Sequence, residues 1–113
     1  MRILSVMTFA PETATPPTQE DMERMGALIA EWRGSGVLID TGGRMPGMLE
    51  MAIARKDGKT TVTDGPFTET KEVVGGYALL EVKDRDEAIA VTERFLGFVG
   101  NATCHLHEVE TAP

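Results

Sequence analysis

Two runs of the chain are apolar on both of their alternating faces, and this limits the fold more than any other feature. Arg2 to Phe9 puts Ile3, Met7 and Phe9 on one side and Leu4 and Val6 on the other. Tyr77 to Val82 sets Tyr77 and Leu79 against Ala78, Leu80 and Val82. Side chains of a strand point alternately to opposite faces. A strand that is wet on one side therefore alternates apolar with polar residues. These two runs call for a sheet covered on both faces. A chain of 113 residues makes one domain, residues 1–113, with a thin core. It has few elements with which to cover two faces.

The remaining pattern supplies only two helices. Thr18 is a fitting N-cap with Asp21 at the capping-box position, although Glu or Gln is the usual residue there. Met22, Met25, Ile29 and Trp32 fall on one helical stripe, and Gly34 and Gly36 predict its end. Val37 to Thr41 reads as a strand, with Val37 and Ile39 on one face and Leu38 and Asp40 on the other. Leu49 to Arg55 alternates strictly, and Asp57-Gly58 is a two-residue type I′ hairpin signal, so Lys59 to Thr63 is the return strand. Asp84 caps a second helix with Glu87 three residues on; Ala88, Val91, Phe95 and Phe98 form its apolar side, and Gly97 and Gly100 its end. Thr103 to Val109 is the last strand.

The order is that of an α+β, ferredoxin-like βαββαβ fold with an inserted β-hairpin. Both helices lie on one face of such a sheet. A second copy is the simplest cover for the other face, which predicts a homodimer whose sheets pack together.

Charge and cysteine usage narrow the partners. The net charge is −7, with 11 basic and 18 acidic residues. Phosphate contacts need clustered Lys and Arg, so nucleic acid and anionic membrane are not expected partners. No apolar run approaches the ~18 residues of a membrane span, and the N-terminal apolar run is too short for a signal peptide. Cys104 is the single cysteine, so no internal disulfide forms. That composition fits a reducing compartment, and a cytoplasmic protein is expected.

The chemistry-bearing residues gather around "VTDGPFTETKEVVGGY", Val62 to Tyr77. Asp64 can accept from backbone N–H groups just beyond it, Gly65 tolerates unusual dihedrals, and Pro66 fixes φ. Phe67 is then an inward anchor. This rigid corner can also serve as a pocket wall that presents the Asp64 carboxylate. Lys71 and Glu72 read either as a solvated linker or, for Lys71, as a cation for a carboxylate or phosphate. Gly75-Gly76 suits close passage of backbone against a partner sheet, because no Walker or Rossmann spacing surrounds it. Tyr77 is either a half-buried tyrosine with a bonded hydroxyl or a pocket donor. Asp40, an acid on an apolar strand, is expected to pair with Arg44 or Arg55. The candidate pocket is thus Asp40, Arg44, Asp64, Phe67, Lys71, Glu72 and Tyr77. His105 and His107 share a strand face, but a third ligand is not evident, and neither a metal nor a cofactor is expected. Cys104 reads as a small buried hydrophobe.

These residues carry a family resemblance. Asp64-Gly65-Pro66-Phe67, then Glu69, Lys71 and Glu72, Gly75-Gly76-Tyr77, Glu81-Val82 and Asp86-Glu87-Ala88 resemble the motif of the YCII-related proteins, in the branch called the DGPF domain. "GVLIDTGG" from Gly36 and "RKDGK" from Arg55 are similar to it as well. The resemblance implies a dimeric α+β barrel. It implies little about chemistry. Relatives carry a His-Asp pair with the histidine in the first helix; the first helix here has none, so that pair does not carry over.

Three functions follow. The first is a small-molecule-binding protein without turnover, with regulation as its use. The second is a cofactor-independent lyase or isomerase working by acid–base chemistry on a small acid or lactone, which needs only two positioned groups. The third, implied by the resemblance alone, is an interaction module tied to sigma-factor-type transcription regulation.

Overall fold

The computed structural model describes residues 1–45, 47–65 and 72–112. Pro66, Phe67, Glu69 and Lys71 lie outside the described residues. The elements run β1 (Arg2–Phe9), a single 3-10 turn (Pro11–Thr13), α1 (Gln19–Ser35), β2 (Leu38–Gly43), β3 (Met51–Lys56), β4 (Lys59–Asp64), β5 (Val73–Glu81), α2 (Arg85–Val99) and β6 (Thr103–Val109). Strands β2-β5-β1-β6 form one four-stranded antiparallel sheet, and β3-β4 form a separate ribbon. The expected α+β order with its inserted hairpin is present.

Local signals set the helix ends. Thr18 accepts from the Asp21 N–H at 3.1 Å, and the Asp21 carboxylate accepts from the Thr18 N–H at 3.0 Å, a complete capping box. The Thr18 N–H first, and the Thr18 side chain after it, hold the Asp21 carboxyl below its ordinary value by favouring its charged form. Gly36 ends α1 in the left-handed region at φ 84°. Gly34 lies inside the helix rather than ending it, and so does Gly97 in α2, which stops at Gly100. Asp84 caps α2 through the Glu87 N–H at 2.9 Å, and Glu87 accepts from the N–H of Lys83. At the ribbon tip Asp57 and Gly58 take φ 51° and 78°, as a type I′ turn requires.

The core lies between the two helices and one face of the sheet. It holds Ile3, Leu28, Trp32, Leu38, Leu80, Val82 and Ala88, with Met25, Ile29, Val91, Phe95 and Phe98 packed against it. The α1 stripe is turned from the expected one: Leu28 is buried, and Met22 is 54% exposed. Arg94 of α2 grips Glu31 of α1 with both guanidinium N–H groups, and it lies over the Trp32 ring.

Register assigns every sheet residue to a face. Ile3 lies opposite Leu80, and Ser5 opposite Ala78 and Leu106, toward the helices. Leu4 lies opposite Leu79 and His107, and Val6 opposite Tyr77 and His105, on the other face. No described helix covers that second face, and its Leu4, Val6 and Leu79 are only half-buried. The ribbon is exposed on both sides along its whole length.

Candidate functional site

The uncovered sheet face carries the candidate site, and a β-bulge helps to build it. The β2–β5 register runs Leu38↔Leu80 and then Asp40↔Leu79, which leaves Ile39 unpaired. An extra residue in one strand re-aims every side chain after it. Leu38 therefore points to the core, while Asp40 points to the uncovered face. This corrects the strand reading that put Leu38 and Asp40 on one side.

Asp40 meets Tyr77 there. The Tyr77 hydroxyl donates to Asp40 Oδ2 at 2.7 Å. The bond from the phenol to the carboxylate raises the Tyr77 pKa above its ordinary 10.0, because the protonated phenol is the form that can donate. Gly42 makes the arrangement possible. A Cβ on Gly42 would sit 2.7 Å from Tyr77 Cε1, so the ring lies over β2 backbone that carries no side chain. Thr41 adds a bond from its hydroxyl to the Tyr77 carbonyl at 2.8 Å.

Asp40 does not pair with Arg44 or Arg55. Arg44 lies 3.7 Å from Glu50 and donates weakly to the carbonyls of Met48 and Leu49. Its own N–H donates to the Gly75 carbonyl at 2.9 Å. Arg44 thus clamps the base of the ribbon. Arg55 stays within the ribbon and bonds Thr60. The physical reason is reach: the bulge turns Asp40 toward β5, whose Tyr77 lies diagonally across from it.

A second diagonal bond mirrors the first on the opposite half of the face. Thr8 Oγ1 lies 3.2 Å from His105 Nε2 and donates to Glu72 Oε2 at 3.1 Å. Glu72 is therefore tied to β1 rather than left as a solvated linker charge. Thr8 goes unremarked in the sequence, and His105, weighed there only as a metal ligand, stands outside the candidate pocket. The shared face of His105 and His107 was legible, but no local pattern links them to Thr8.

The other candidates separate. Asp64 ends β4 at the ribbon base, where the Gly65 N–H donates to the Glu50 carbonyl at 2.8 Å. A Cβ on Gly65 would come 2.9 Å from that same oxygen, so glycine is required for the chain to close there. Phe67 and Lys71 fall outside the described residues. Gly76 approaches backbone of its own sheet: a Cβ there would sit 2.6 Å from the Gly42 carbonyl oxygen. Gly75 is the unpaired residue of a second bulge, against Met7 and Phe9. Among the described residues no three His, Cys, Asp or Glu side chains gather as a metal site. Cys104 is half-buried, and burial pushes its thiol up.

An open cleft of about 410 Å³ lies at the strand ends, lined by Phe9, Thr13, Glu72, Leu96, Asn101 and Thr103 among others. Of the described candidate residues only Glu72 borders it. It is shallow, and Asp40 and Tyr77 are not among its lining residues, so the candidate site is drawn from the hydrogen-bonded pairs and not from depth.

Comparison with known proteins agrees with this architecture. An uncharacterized protein of Rhizobium meliloti (strain 1021) is 28% identical over 92 residues, covering 77% of this chain and 74% of that protein. Among solved structures, 5-chloro-2-hydroxyhydroquinone dehydrochlorinase from Burkholderia phenoliruptrix AC1100, in complex with 2,5-dihydroxybenzoquinone, superposes with a TM-score of 0.56. That match covers 99% of this chain and 96% of the enzyme at 14% identity, and it shows a shared fold. Among the described residues no helix is long and apolar enough to cross a membrane. The model of the YCII-related domain matches residues 1–97, and with its helices, sheet order and inserted ribbon in place the chain belongs to the YCII-related family.

Proposed function

We propose that this protein binds a small organic molecule on the uncovered face of its sheet, under a roof supplied by a second copy of the chain. The observation that carries this is the Tyr77–Asp40 pair standing beside an apolar floor of Leu4, Val6 and Leu79. A few convergent polar groups around apolar surface are what a small-molecule site offers. A protein of the same fold holds a small oxygenated ring, which supports the same use of this scaffold.

Exposed area supports the roof. The chain exposes 8381 Å², whereas a monomer of its mass exposes about 6,100 Å². The surplus is about 2,300 Å², well above the ~800 Å² that each partner covers in a stable complex. The Cα radius of gyration is 16.0 Å, against about 13 Å for a compact chain of this length. A homodimer would cover the surplus surface and pack against the extended parts of the chain, and light scattering on the purified protein reads it directly. The single Cys104 fits a cytoplasmic setting.

The ligand test is a thermal-shift screen of small acids, lactones and 2,5-dihydroxybenzoquinone, repeated on Asp40→Asn and Tyr77→Phe. A ligand at a hundredfold excess over its Kd adds about 2.7 kcal/mol, a rise of several degrees in Tm. The wild type is expected to show such a rise and both variants to lose most of it. The reading fails if no compound moves the wild-type Tm, or if both variants respond as the wild type does.

A further inference from the structure

Resting on the small-molecule reading above, we propose that His105 is the proton acceptor of the uncovered face, positioned by Thr8 and Glu72, and that its ligand is a flat ring bearing acidic hydrogens at two opposite edges. The argument starts from one hydroxyl. Thr8 Oγ1 has a single hydrogen to give, and a carboxylate can only accept. The hydrogen therefore goes to Glu72 at 3.1 Å, and the Thr8 oxygen must receive the Nε2–H of His105 at 3.2 Å. With the proton on Nε2, the lone pair of a neutral imidazole lies on Nδ1. Among the described residues nothing bonds Nδ1. Glu72 and Thr8 thus fix the tautomer and turn of the ring, as an orienting group does for a catalytic histidine.

Placement gives the ligand class. His105 and Tyr77 both lie opposite Val6, so they are the two ends of one row across three strands. Neighbouring strands are about 4.8 Å apart, which separates their backbones by roughly 10 Å. Between them the floor is Val6, flanked by Leu4 and Leu79. At the far end Tyr77 has already given its hydrogen to Asp40, so the phenol oxygen and the carboxylate are left to accept. Both ends of the row accept hydrogens. A flat ring with hydroxyls at opposite edges supplies a donor to each, and its face rests on the apolar floor. His107 shares the face, opposite Leu4, without a tie to Thr8 or Glu72. It is the internal control.

The chemical step is a proton transfer. An O–H bond of the ring breaks, its electron pair stays on the ring oxygen, and a new N–H bond forms at Nδ1. The products are an imidazolium and a ligand anion, with no change in oxidation state.

Nitrohydroquinone, kept anaerobic, is a suitable probe: its hydroxyls lie at opposite edges, and its neutral and ionised forms differ in colour. Binding is measured by equilibrium dialysis, and ionisation by the spectrum of the bound probe, at a pH where the free probe is neutral. The wild type and His107→Gln are expected to bind it as the anion. In His105→Gln the bound anion falls at least tenfold while binding persists. Thr8→Val and Glu72→Gln lower it several-fold, and Thr8→Ser restores it. Absence of binding by the wild type overturns the small-molecule reading itself. Binding without ionisation, ionisation that survives in His105→Gln, or equal losses in the two histidine variants overturn the role of His105 alone.

Discussion

The four-stranded sheet and the β3–β4 ribbon use the same kind of strand and end in opposite circumstances. In the sheet, one face lies under α1 and α2, and Ile3, Leu38 and Leu80 are buried there. In the ribbon no residue is buried, and Met51, Ile53 and Val62 share one exposed face. A two-stranded hairpin is marginal in water unless something packs on it. The ribbon's apolar residues therefore suit a surface outside this chain. The uncovered half of the sheet stands between the two cases, with an apolar floor and two hydrogen-bonded pairs. Covered apolar surface builds the fold; uncovered apolar surface is what the proposed ligand and second copy would use.

The largest test of this contrast is in the covered layer. Leu28→Ala deletes a side chain that is 2% exposed, and such a cavity costs about 3 kcal/mol. Urea unfolding is expected to show that loss, whereas a cost below about 1 kcal/mol would mean that the helices do not seal this face. In the ribbon, Ile53→Asp is expected to weaken the proposed self-association by tenfold or more, worth ~1.4 kcal/mol. Sedimentation at several concentrations reads this change. Stability of the isolated chain stays within about 0.5 kcal/mol, as for most surface changes, because Ile53 is 65% exposed there. Unchanged association would remove the ribbon from the interface.

The smallest effect is spectroscopic. Tyr77 is the only tyrosine, so phenolate absorbance reports it alone. Its titration is expected above the ordinary 10.0 and to fall back in Asp40→Asn. The sign also gives a stability window. A phenol whose folded pKa is raised contributes fully below the unfolded value, and that contribution disappears as pH rises through the folded one. An unshifted titration in the wild type would break the Tyr77–Asp40 pair as the mark of this face.

Much of the architecture was legible because its signals are local. Thr18 with Asp21, Asp57-Gly58, and the two-faced runs of β1 and β5 each act within a few residues, and the structure follows them. Less of the site was legible. Tyr77 and Asp40 are both legible as candidates, yet the sequence alone pairs Asp40 with an arginine, whereas Arg44 belongs to the ribbon base. Met22 was read into the helix core where Leu28 lies, because adjacent helical stripes differ by a small rotation that only packing decides.

The chain's own pattern determined the elements, their order, and the presence of more apolar strand surface than two helices can hide. Tertiary structure decided where the chemistry gathers. The bulge at Ile39 turns Asp40 from the core to the open face, and strand pairing brings Thr8 to Glu72 across 64 positions and to His105 across 97. The physical reason is that periodicity fixes how neighbouring side chains alternate, whereas one unpaired residue reverses that alternation and only the partner strand reveals it.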